Sequence, residues 1–167
     1  MVASIHAAPA PAAAKVRGVA WAVPAPWHRV LWGAGAGAAA TAAMSVAMSV
    51  VRRAGVVDKL APRLVVESAM RRTAWSGSRA ARPMTAIAHL GFGIGNGVVF
   101  GLVARRLPGP RLVKGLTFAA VVLLASYEGW VPAARMLAPL HRQRRDRIIE
   151  LVAGHAVYGI VLGRLAG

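Results

Sequence analysis

The chain contains no cysteine. That excludes disulfides, thiolate-held iron–sulfur clusters and thiol nucleophiles, and it leaves the redox compartment open. Acidic side chains are scarce too. Five Asp and Glu stand against 21 Lys and Arg, for a net charge of +16. Charged residues of both signs make up 16% of the 167 residues, where a soluble domain carries about 25%, so much of the surface must face something other than water. What replaces the charge is apolar: 57% of the chain is hydrophobic. The length suits one domain.

Such a basic chain can serve nucleic acid. Its cations, however, form no stripe on one soluble face. They collect at the ends of apolar runs, as Arg52 and Arg53, Arg71 and Arg72, Arg105 and Arg106, and the cluster over 142–147. Charge so placed anchors membrane spans and meets anionic lipid headgroups. The expected partners are therefore the bilayer and its anionic lipids, with no nucleic acid.

Residues 30–51 and 83–104 carry no charge. At 1.5 Å per residue each makes a helix of roughly 33 Å, enough to cross a hydrocarbon core of about 30 Å. Two further apolar stretches follow at 115–131 and 148–165. The expected fold is all-α: a polytopic membrane domain over 29–167 with four transmembrane helices. An Ala- and Pro-rich arm over 1–28 precedes it, expected to be flexible. The arm lacks the basic start and apolar core of a secretory signal, because Lys15 and Arg17 come late, so it is expected to be retained. Trp21, Trp27 and Trp32 stand where interfacial tryptophans belong.

The connections carry their own patterns. Pro83 suits a first helical turn. Pro108, Gly109 and Pro110 mark a tight connection, and Pro132 ends or kinks the third span. Between spans one and two, Val65, Val66, Ala69, Met70 and Thr73 recur at helical spacing opposite Arg63, Glu67, Arg71 and Arg72. That predicts a short amphipathic helix, either lying in the headgroup plane or packed on the bundle as a loop helix. Asp146 and Glu150 fall near the start of the fourth span, where negative charge suits the helix dipole. Thirteen Lys and Arg lie in the one–two and three–four connections against eight on the other side, which favours both chain ends outside the cytoplasm.

Small residues recur every fourth position: Gly33, Gly37, Thr41, Ser45 and Ser49 in span one; Gly93, Gly97 and Gly101 in span two; Gly159, Gly163 and Gly167 in span four. Such rows let helix backbones approach closely where lipid supplies no hydrophobic drive. Gly33, Gly37, Gly93, Gly97, Gly101, Gly159 and Gly163 are thus the expected packing residues, and the same faces could support a homo-oligomer. Gly91, Gly93, Gly95 and Gly97 do not make a dinucleotide loop, since no strand precedes them and no acidic partner follows. Spans two and four share a pattern. His89 is followed by Phe92, Gly93, Ile94, Gly97 and Gly101, and His155 by Tyr158, Gly159, Ile160, Gly163 and Gly167. This predicts a duplicated two-helix hairpin.

His89, Glu128 and His155 are the ionisable groups well inside spans, and all three count to one membrane side, with Asn96 deeper on the face of His89. Intramembrane ionisable groups are functional candidates by default. Three readings remain open: a hydrogen-bonded structural cluster of His89, Asn96, Glu128 and His155; a proton or cation path through the titratable groups; and a metal site of two His and one carboxylate. No His-x₃-His or Glu-x₂-His spacing supports the last, so no metal ligand, no catalytic residue and no cofactor are assigned.

At these residues the chain resembles the YagU-like family of small bacterial inner-membrane proteins. The matching features are Met44-Ser45-Val46 closing the first span, His89-x₃-Gly93-x₃-Gly97, Glu128-Gly129-Trp130 with Pro132 and Pro139, and His155-Ala156-Val157-Tyr158-Gly159, over about residues 30–163. The resemblance implies a multi-pass protein of the bacterial inner membrane with no established reaction. The expected function is a non-enzymatic membrane role. The alternatives are a small proton- or cation-conducting transporter or channel component using His89, Glu128 and His155, and a membrane-embedded metalloenzyme.

Overall fold

The computed structural model describes residues 26–71 and 79–167, and among these every regular element is helical. The predicted Ala/Pro arm, apart from its last three positions, and Arg72 and Thr73 of the amphipathic pattern lie outside the described residues. Four helical rods are long and apolar enough to cross a membrane. Three are continuous: α1 (Pro26–Arg53), α3 (Ala81–Val103) and α6 (Arg145–Ala166). The fourth runs over Arg111–Ala133. It comprises α4 (Arg111–Leu124), a π-helical turn (Ala125–Trp130) and the short α5 (Val131–Ala133). Residues that face outward are large and apolar, among them Leu31, Val46, Ile87, Val99 and Val121. Such an exterior fits lipid and not water.

The widened turn in the fourth rod has a local cause. Pro132 has no N–H to donate four residues back, to Glu128, and its ring crowds that carbonyl. The chain relieves this upstream: the helix widens over Ala125–Trp130, and Gly129 takes non-helical angles (φ −104°, ψ −107°). The rod continues through Pro132 for one short turn, so the proline bends the span at Gly129 and does not end it.

The predicted amphipathic helix is α2 (Ala61–Met70). It packs on α3. Its polar face holds a small ion-pair network, with Glu67 bridging Arg63 at 2.7 Å and Lys59 at 3.1 Å. These cations hold the Glu67 carboxyl below the ordinary carboxylate range, mainly by hydrogen bonding.

Glycine governs the packing. A Cβ at Gly97 would lie 2.3 Å from the Gly33 carbonyl oxygen and 2.5 Å from the Gly37 Cα, so α1 and α3 touch backbone to backbone. A Cβ at Gly163 would lie 2.5 Å from the Arg111 carbonyl oxygen and 3.3 Å from the Gly115 Cα, so α4 and α6 repeat the arrangement. Gly93 faces Thr41 as Gly159 faces Ala119. All seven predicted packing glycines sit in these two seams. The matched contacts give the register of an internal repeat: Gly37 corresponds to Gly115, Thr41 to Ala119, Gly93 to Gly159 and Gly97 to Gly163. The hairpin α1–α3 is thus echoed by α4–α6.

The echo fails at one interface. If the two hairpins packed symmetrically, α1 against α6 would match α4 against α3. The α1–α6 interface is closely packed, whereas α3 and α4 barely touch. The repeat register explains why. On the closed side Met44 and Met48 fill the space against Gly154. On the open side the corresponding residues are Val122 and Ser126 against Ala88. Two long, adaptable side chains are replaced by two short ones, and the volume they would occupy stays empty.

Candidate functional site

That missing volume is a cavity of about 300 Å³ between α3 and α4. Its floor is Thr41 and Met44 of α1 with His155 and Tyr158 of α6. Ala88, His89, Phe92 and Asn96 of α3 form one wall, and Val122, Ser126, Tyr127 and Trp130 form the other. One end is closed by Pro62, Val65 and Val66 of α2, so the apolar face of that helix serves as a lid. The Phe92 and Trp130 rings stand 6.0 Å apart, each partly exposed, and bridge the α3–α4 gap.

The lid is clamped from below. Glu150 is fully buried and accepts a hydrogen bond from the Ala61 backbone N–H at 2.9 Å. That N–H opens α2, a helix with no side-chain cap of its own, so Glu150 performs the capping from a distant part of the chain. Arg147 pairs with the same carboxylate and also donates to the Lys59 carbonyl oxygen at 2.5 Å. Arg147 and Glu150 of α6 therefore hold both the connection to α2 and its first turn. In sequence Glu150 reads as a dipole partner for its own helix. The available signal is its i,i+3 spacing from Arg147.

Most polar groups around the cavity are already committed to backbone. Thr41 Oγ1 donates to the Gly37 carbonyl oxygen at 2.7 Å, Asn96 Nδ2 to that of Phe92 at 2.9 Å, and the Tyr158 hydroxyl to that of Gly93 at 2.9 Å. His155 Nδ1 meets the Leu151 carbonyl oxygen at 2.8 Å. A carbonyl only accepts, so this nitrogen carries the proton and Nε2 of the neutral ring does not. One atom stands apart: His89 Nε2 is buried and has no hydrogen-bond partner. Leaving such an atom unsatisfied costs about 1–3 kcal/mol.

The sequence groups His89, Asn96, Glu128 and His155. The structure brings His89, Asn96 and His155 to this one cavity and separates Glu128 from them. The widened turn at Ala125–Trp130 carries the Glu128 carboxylate to His141, where it accepts from the backbone N–H at 2.9 Å and lies 2.9 Å from Nδ1. Glu128 thus stays at the membrane end its position in the span predicts, but the kink at Gly129 leaves it facing the connection before α6 and not the cavity. Among the described residues, no three His, Asp or Glu side chains converge where a metal ion could be held.

The family described as a "Family of unknown function (DUF6789)" matches residues 27–167. The chain belongs to the DUF6789 family. The match takes in all four rods, both glycine seams and every residue lining the cavity of this DUF6789 protein, and it starts where the Ala/Pro arm gives way to α1. No curated protein and no solved structure matches the chain.

Proposed function

We propose that this multi-pass membrane protein binds one membrane-dissolved amphiphile in the α3–α4 cavity and catalyses no reaction on it. The ligand class is a molecule with an apolar body and a single hydrogen-bonding head, such as a hydroxyl or carbonyl. The observation that carries this reading is the pairing of an apolar cavity, opening between two outer helices, with one unpartnered buried polar atom, His89 Nε2. The cavity sits at the low end of the range for small-molecule sites, about 300–1,000 Å³. It holds roughly ten atoms' worth of liquid at about 30 Å³ each. A ring or head would fill it while a chain extends past Phe92 and Trp130 into lipid.

The proton-path alternative draws less support. It needs titratable groups in sequence, and Glu128 is engaged with His141 while Thr41, Asn96 and Tyr158 are bound to backbone. The metalloenzyme alternative has no cluster of ligands behind it among the described residues. We also propose that the protein is kin to the YagU-like group and resides in a bacterial inner membrane. There its flanking Arg and Lys would contact anionic headgroups, and nucleic acid would not be a partner.

The test is photolabelling in liposomes with a diazirine-bearing long-chain alcohol. The expected labels fall within residues 85–96 and 122–130, and excess unlabelled hexadecanol suppresses them. His89→Leu lowers labelling about fivefold, the equivalent of one hydrogen bond of roughly 1 kcal/mol. Label spread evenly over outward residues such as Val46 and Val99, indifferent to His89→Leu, would overturn the reading.

A further inference from the structure

A second recess lies at the opposite end of the bundle from α2, where α1 and α4 begin and α3 and α6 end. Its volume is about 260 Å³, and its walls include His28, Arg29, Arg105 and Lys114, with Trp32 and Gly101 beside them. No acidic side chain lines it. Arg29 and Lys114 are half-buried, and neither is engaged in an ion pair among the described residues.

The distribution of acid along the chain sharpens this. All five carboxylates, Asp58, Glu67, Glu128, Asp146 and Glu150, belong to the end that carries α2 and the 134–144 connection. Four of the five are paired there with Lys, Arg or His. The recess end carries Arg29, Arg105, Arg106, Arg111, Lys114 and Arg164 and no acidic residue at all. Concentrated cations with no acidic side chain among them repel one another, and an anion that joins them relieves the repulsion.

We propose that this recess is a binding site for the phosphate of an anionic phospholipid headgroup. The lipid source follows from position and wall chemistry. The recess opens at the ends of the spanning helices, at headgroup depth, and Trp32 lies in its wall with its indole N–H donating to the Leu165 carbonyl oxygen at 2.5 Å. Interfacial tryptophan beside basic side chains between helix ends is the arrangement that receives lipid headgroups. Gly101 keeps the wall low, since a Cβ there would stand 2.6 Å from the Arg29 carbonyl oxygen. Arg29 belongs to α1, Lys114 to α4 and Arg105 to the turn that follows α3, so a bound phosphate would tie α1, α4 and the end of α3 together. This site is independent of whatever fills the α3–α4 cavity.

The test uses the full chain in nanodiscs of phosphatidylcholine with a minority of phosphatidylglycerol, read by native mass spectrometry of retained lipid. The wild type retains phosphatidylglycerol in preference to phosphatidylcholine. Each Lys or Arg near an anionic group is worth roughly fivefold in affinity, so Arg29→Gln with Lys114→Gln lowers that retention about 25-fold. Arg52→Gln with Arg53→Gln, at the other end, changes it less than about twofold. Folding is checked by an unchanged melting temperature in phosphatidylcholine alone. Should the double variant fail to fold, exposed Arg105→Gln is the substitute, with a loss of about fivefold. Equal retention in the recess variants and the wild type overturns the proposal. So does displacement of phosphatidylglycerol by an equimolar amount of inorganic phosphate, which would make the recess a free-anion site.

Discussion

The Tyr158 hydroxyl donates to the Gly93 carbonyl oxygen across 2.9 Å, tying α6 of one hairpin to α3 of the other. Both residues occupy the repeated pattern, yet the bond has no counterpart in the other hairpin, because Phe92 stands where Tyr158 does. It fixes the spacing of the two seams at the cavity floor. Tyr158→Phe keeps the ring and removes the bond. We expect a loss of about 1 kcal/mol, read as a lower melting temperature in detergent.

The seams predict opposite outcomes for the same substitution. Gly97→Ala forces a methyl against the Gly33 carbonyl oxygen at 2.3 Å, and no flexible side chain is there to yield. The expected cost is about 1–3 kcal/mol. Gly35→Ala, on the same helix as Gly33 but with no atom within 4 Å, is expected to be neutral or to gain up to about 1 kcal/mol from helix propensity. Parallel detergent melts of the two variants decide it. Equal effects would mean the seams do not set the packing.

The Glu150 clamp predicts local unfolding of the lid. Removing one partner of a buried ion pair costs about 3–5 kcal/mol. Arg147→Ala leaves the Glu150 carboxylate buried without its cation. Glu150→Ala frees the Ala61 N–H and strands Arg147. Either variant should raise hydrogen exchange in α2 well above that in α3, and the double variant should cost less than the two together. Exchange that rises uniformly across all helices would contradict the clamp.

Acid should loosen α2 before it loosens the rods. The Glu67 carboxyl titrates below its ordinary range because Arg63 and Lys59 stabilise its charged form. With the folded value depressed, its contribution is fully present above the ordinary carboxylate range and is lost as pH falls through the lowered folded value. The pair is near the surface, so the effect is about 0.2–1 kcal/mol and shrinks in high salt. Exchange of α2 amides against pH, for wild type and Glu67→Gln, reads it directly. Glu67→Gln should flatten the dependence.

The four spans, the amphipathic helix and the packing glycines were legible because each rests on a period: length without charge for a span, and a four-residue step for a seam. The repeat was legible in His89 and His155 with their trailing glycines, though its register in α1 and α4 was not. Arg111 takes the place of Gly33 in the repeat and Ala119 that of Thr41, and only the backbone contacts of the two seams show that they correspond. The cavity was hidden for the same reason, since the exchange of Met44 and Met48 for Val122 and Ser126 has meaning only once the register is known. Which face of its rod Glu128 occupies is not legible in the sequence, because it depends on the widened turn and the kink at Gly129. Glu150 reads in the sequence as a local dipole partner because the group it binds, the Ala61 N–H, lies 89 residues away.

The repeat itself supplies the most direct test of the binding cavity. Val122→Met with Ser126→Met places on the open side the residues that fill the closed one. In liposomes, photolabelling of residues 85–96 and 122–130 by the diazirine alcohol should fall to the level of outward lipid-facing positions, while the melting temperature holds or rises. Undiminished labelling of those segments in the folded double variant would contradict a ligand site between α3 and α4.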